Sequence, residues 1–207
     1  MTVDPLPAAR RTVRQALGFS DATWRRYTAI HEAGHAIAAM RDEDAALIQS
    51  SLGDTTTTDG RASVAGFTEL SWTSARGIAV VLYAGLLAQE RWLRELNLAT
   101  PHRLAATAAA ATHDFEHLAA YDLSPAQLRT VRTDTARLRD DHWPALLAVA
   151  DILDTQGTVT TAEASAAAAQ SRATAQGTPG PTLIGPQDLL RLDTIARWLC
   201  MRERSAF

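Results

Sequence analysis

Histidines 31 and 35 stand four residues apart in a stretch whose apolar positions, Ile30, Ala33, Ala36, Ile37 and Met40, repeat with a helical period. On an expected helix over residues 23–40 the two imidazoles lie one turn apart on one face. An apolar helix is a costly place for two histidines and Glu32 unless something compensates them. Two imidazoles at this spacing reach one tetrahedral metal ion. Glu32 projects about 100° away, beside the ion's open position, where a carboxylate can take a proton from water. The run His31-Glu32-Ala33-Gly34-His35 therefore reads as a zinc site with its own general base, with Ala33 and Gly34 leaving room around it.

A catalytic zinc usually keeps three protein ligands and one open position. The residues leave the third ligand open: Glu69, Glu90 and the cluster His113-Asp114-Phe115-Glu116-His117 all carry suitable groups. No Gly-x-x-His extension follows His35, which excludes the metzincin pattern.

Around this helix the pattern is mainly α. Asp21 is a candidate N-cap for the first helix. Residues 46–52 and 62–70 flank a polar stretch, 53–60, and read as an antiparallel hairpin or small sheet. Thr73 or Ser74 caps a second helix ending near Trp92 or Leu96. A third helix is expected over 103–121. Ser124-Pro125 opens a fourth that continues to Asp154, with a disturbance at Pro144 and a stop at Gly157. Thr160 or Thr161 caps an Ala-rich helix. The expected organisation is an N-terminal arm at 1–20, one domain at 21–173, a linker at 174–186 containing Gly177-Thr178-Pro179-Gly180-Pro181, and a C-terminal helix within 187–207. Trp24, Trp72, Trp92, Trp143 and Trp198 read as core or interface anchors.

Composition narrows the chemistry. Cys200 is the single cysteine, so no disulfide within the chain and no Cys-rich zinc site can form, and a reducing, cytoplasmic setting is expected. A net charge of −3 offers no field for nucleic acid. The arginines of 129–139 alternate with Asp and Thr, as on a solvated helix face. Every basic residue is arginine, so no Walker-type phosphate loop with its lysine is present. The longest apolar run, 78–88, is about half of the roughly 20 residues a bilayer requires, so no membrane span is expected. Residues 1–14 lack the apolar segment of a signal peptide.

The run Ile30-His31-Glu32-Ala33-Gly34-His35-Ala36 resembles the zinc helix of the FtsH-type ATP-dependent zinc metalloproteases. Ala65-Gly66-Phe67-Thr68 is similar to that family's Gly-aromatic-Thr strand. Tyr83-Ala84-Gly85-Leu86-Leu87-Ala88-Gln89-Glu90 is a degraded match to its second helix, and His113-Asp114-Phe115-Glu116-His117-Leu118-Ala119 resembles its Asn-Asp-Leu-Glu helix, with His113 in place of Asn. The resemblance covers about residues 25–165. It implies a helical, zincin-like metallopeptidase domain with a short β-hairpin after the zinc helix. It also implies one zinc per chain held by His31, His35 and Asp114, with Glu32 as catalytic base. Gly66, Phe67 and Thr68 become the substrate strand. Glu90 itself reads either as a carboxylate orienting a zinc histidine or as the i+4 partner of Arg94. The ATPase module and membrane anchor of that family have no counterpart here. The implied activity is a zinc metalloendopeptidase acting on unfolded or flexible polypeptides, alone or fed by a separate ATPase; the family also allows a homo-oligomer.

Two other classes fit some residues. Glu32-x-x-His35 and Asp114-x-x-His117 both have the spacing of a di-metal carboxylate bundle. An inactive, peptidase-like interaction protein would keep the fold without the turnover.

Overall fold

The computed structural model describes residues 13–56 and 62–177. Most of the expected N-terminal arm, the linker beyond residue 177, the C-terminal helix, Trp198 and Cys200 lie outside them. The chain divides into compact units at 1–172 and 173–207. Among the described residues are eight helices and three strands.

Two 21-residue helices form the centre. Helix α1 (Val13–Leu17) precedes α2 (Asp21–Arg41), the helix carrying both histidines. Ser20, not Asp21, is the N-cap of α2: its backbone is extended and its hydroxyl accepts the Thr23 N–H. Asp21 is instead the first helical residue and pairs with Arg14. The end of the expected arm is packed, since Leu17 is buried with Tyr27 and Leu93 under Phe19, Trp24 and Trp92.

Strands β1 (Ala45–Thr56) and β2 (Ala62–Trp72) pair antiparallel, with Ser50 opposite Thr68 and Leu52 opposite Gly66. Helix α3 (Ala75–Glu95) follows, capped by Ser74, whose hydroxyl accepts the Gly77 N–H at 3.0 Å. α2 and α3 cross closely. A Cβ on Gly34 would lie 2.7 Å from the Ala84 carbonyl oxygen, so glycine is needed at that crossing.

The expected third helix is two: α4 (Pro101–Ala110) and α5 (Thr112–Leu118). The chain turns at Ala111, where ψ is 14°, and the Thr112 hydroxyl bonds the Ala109 carbonyl at 2.6 Å, a side-chain competitor for helical backbone pairing. The expected fourth helix also divides, into α6 (Pro125–Asp141) and α7 (Trp143–Gln156), joined at His142. Pro144 has no N–H and therefore falls in the first turn of a new helix rather than inside an old one. Gly157 ends α7 at φ 81°. Then β3 (Thr158–Thr160) pairs with β1, and α8 (Thr161–Gly177) follows Thr160, which exchanges hydrogen bonds with Glu163.

The hairpin is thus part of a three-stranded antiparallel sheet in the order β2-β1-β3, and β2 is an edge. The sheet lies on α2, and the core between α2, α3, α6 and α7 is aliphatic, with Trp143 buried in it. No described helix is long and apolar enough to cross a membrane.

Candidate metal centre

His31 and His35 are fixed by the first long helix, and the turn at Ala111 brings Asp114 on α5 against them. The Nε2 atoms of the two histidines are 2.9 Å apart. Asp114 Oδ2 lies 3.2 Å from His31 Nε2 and 3.6 Å from His35 Nε2. One ligand atom from each residue falls within 4.8 Å of the others, and no other such group of three occurs among the described residues. Ligands of a tetrahedral zinc, with bonds near 2.0–2.1 Å, are separated by about 3.3 Å. The donor set therefore fits one small divalent cation.

Hydrogen bonding supports the same reading. His35 Nδ1 lies 2.8 Å from the Val81 carbonyl oxygen. A carbonyl only accepts, so Nδ1 carries the proton and Nε2 faces the cluster with a bare lone pair. Asp114 Oδ2 is buried with no hydrogen-bond partner. Lone pairs thus converge on one point, and a cation, either a metal or a proton, relieves their repulsion. Burial disfavours charge on both His31 and Asp114. Their mutual attraction across 3.2 Å and neighbouring charges outweigh it, raising His31 above the usual imidazole range and holding Asp114 below the usual carboxylate range.

Glu32 is buried beside this cluster. Its Oε2 accepts a 2.7 Å hydrogen bond from the Thr68 hydroxyl, which itself lies 2.8 Å from Ser50 Oγ. Gly66 makes room for it: a Cβ there would lie 2.2 Å from Glu32 Oε1. Phe67, between them, is 64% exposed. Residues 66–68 thus turn two positions toward Glu32 and one outward, on an edge strand. A cavity of about 470 Å³ joins this strand to His31, His35 and Asp114. Its apolar wall includes Leu70, Trp72, Ile78 and Val81, and His113 and His117 also line it.

Two residues that the sequence reading did not single out are needed here. A Cβ on Gly85 would lie 2.7 Å from Cε1 of both histidines and from His35 Nε2. A glycine in the middle of a Leu/Ala/Val helix is the signal, since it costs about 1 kcal/mol against alanine and needs a packing reason. The second is Gln89, buried on the same stripe of α3. Of the two roles expected for Glu90, the structure shows the pairing with Arg94, at 3.1 Å, with Arg132 also at 3.8 Å; Glu90 does not orient a histidine of the cluster. Glu69 meets Gln49 on the sheet surface. The His117 ring packs edge-on to Trp72 and near Tyr121 and is outside the metal cluster. The carboxylates and histidines of a two-metal site are therefore not assembled among the described residues.

No protein-family model and no curated protein sequence matches the chain.

Proposed function

We propose that the protein is a zinc-dependent peptidase of the FtsH type, acting on extended polypeptide. The observation that carries this reading is the convergence of His31, His35 and Asp114 on one point with the Glu32 carboxylate held alongside. When bound, zinc supplies Lewis acidity and makes water a stronger acid. Glu32 takes the proton of the attacking water and delivers it to the leaving amine. The Thr68 hydroxyl holds one Glu32 oxygen and leaves the other free for that exchange. The free edge of β2 offers backbone groups to an extended substrate, and the apolar cavity wall accepts its side chains. A folded substrate offers no such strand without local unfolding.

The test is digestion of casein by the zinc-loaded protein, with Glu32→Gln as the blank. The wild type cleaves it without ATP, chelator stops it, ATP changes nothing, and tightly folded proteins are spared. A wild type indistinguishable from the Glu32→Gln protein, with one zinc bound in each, moves the inactive interaction protein ahead.

A further inference from the structure

The His31 side chain poses a problem that His35 does not. His35 Nδ1 has the Val81 carbonyl as its partner, whereas His31 Nδ1 is buried with no conventional hydrogen bond. Gln89 Oε1 is likewise buried with no hydrogen-bond partner. They lie on facing stripes of α3 and α2: Gly85 packs against the His31 ring, and Gln89, one turn further along α3, meets Tyr27, one turn before His31.

The amide's orientation follows from its other end. Gln89 Nε2 lies 3.2 Å from the Tyr27 carbonyl oxygen, one helical turn before His31. That oxygen can only accept, so the amide nitrogen must face it. A flipped amide would set oxygen against oxygen there and place its N–H₂ toward His31. With the nitrogen at Tyr27, Oε1 is left facing the imidazole, and a carbonyl oxygen requires a proton on Nδ1.

We propose that Gln89 is a positioning residue for His31: its Oε1 accepts the Nδ1–H and so fixes the tautomer that turns a bare Nε2 toward Asp114 and His35. This rests on the metal-site reading above and adds the group that orients its first ligand. The two histidines then share one design, with α3 supplying an acceptor to each Nδ1: the Val81 main chain for His35 and, two turns later, the Gln89 side chain for His31. An amide orients the ring without adding a negative charge, which a carboxylate at this position would do.

The experiment uses the full chain with Gln89→Leu, which keeps bulk but cannot accept, and Gln89→Glu, which restores an acceptor. Zinc affinity is measured by competition with a chromogenic chelator. Imidazole ¹H–¹⁵N correlation spectra of the metal-free and zinc-loaded proteins follow the His31 Nδ1 proton. Gln89→Leu is expected to weaken zinc binding about 10- to 100-fold and to lose the His31 Nδ1–H signal in both states, with the His35 signal retained. Gln89→Glu is expected to recover both. A folded Gln89→Leu protein with wild-type affinity and an unchanged His31 signal overturns the proposal. So does a Gln89→Glu protein as weak as Gln89→Leu, which would make the role one of packing alone. If the wild type binds no zinc, the metal reading fails, while the His31 signal in the metal-free proteins still decides the role of Gln89.

Discussion

Thr68 on the edge strand donates a 2.7 Å hydrogen bond to Oε2 of Glu32, tying the sheet to the one buried carboxylate beside the metal cluster. A hydrogen bond to a charged group contributes about 1.5–3 kcal/mol. Thr68→Val keeps the shape and removes the donor, so casein turnover is expected to fall by about 10- to 100-fold. Zinc content should stay unchanged and Thr68→Ser should retain most activity. Turnover that survives Thr68→Val would detach the sheet from the chemistry.

Zinc should stabilise the fold through three named groups. At a free concentration about 100 times its dissociation constant it adds about 2.7 kcal/mol, visible as a rise in melting temperature that chelator reverses. Asp114→Ala is expected to abolish most of that rise, and His117→Ala and Glu116→Ala to leave it intact. Equal loss from His117→Ala would bring back the two-metal arrangement.

Gly85 separates metal affinity from fold stability. The methyl of Gly85→Ala would press on both imidazoles at once, and zinc affinity should fall by at least about 10-fold, as when the groups orienting a ligand are lost. The metal-free protein should lose less, because alanine gains about 1 kcal/mol over glycine in a helix. Calorimetry with and without zinc measures both effects, and a Gly85→Ala protein with wild-type zinc binding would contradict the geometry.

Alkaline pH should act through Tyr27. Its ring is buried and its hydroxyl donates to Thr107 at 2.8 Å. Burial, aided by the Glu90 charge, raises the phenol above its ordinary value despite the Thr107 bond. The folded pKa therefore lies above the unfolded one, about 10. Stability from this residue is present below that pH and falls as pH rises toward the folded value, by about 1.4 kcal/mol per unit. Tyr27→Phe should cost about 1 kcal/mol at pH 7 and then lose less than the wild type between pH 9 and 11. Urea midpoints at the three pH values test it, and parallel losses in both proteins would refute the assignment.

The helix that carries His31 and His35 was legible because its signal is local: two histidines at one helical turn in an apolar frame. The strand that carries Gly66, Phe67 and Thr68 was legible from the two short runs that flank a polar stretch, and Asp114 was singled out by resemblance. Gln89 was not, because choosing it over Glu90 depends on the rotational phase of α3 against α2, and one residue is about 100°. Gly85 packs on α2 at the metal ligands, and with it sets that phase. The breaks at Ala111 and His142 were hidden for different reasons. A threonine bonding back to its own turn leaves no periodic trace, and Pro144 suits an interior kink as well as a new start. β3 has three residues, too few for alternation to register.

Helix α5 has seven residues, one buried side chain in Leu118, and no side-chain cap at its start. A helix this short has little stability of its own in water. It nevertheless carries Asp114, so a cation bound there and the helix would hold each other in place. Release of such an ion would then be a local opening event: its residence time would be set by how often α5 lifts away from α2, and the ion in turn would slow that lifting. Hydrogen exchange should show the amides of residues 114–118 protected in proportion to bound zinc while those of α2 scarcely change. Uniform protection across both helices would place the weak point elsewhere.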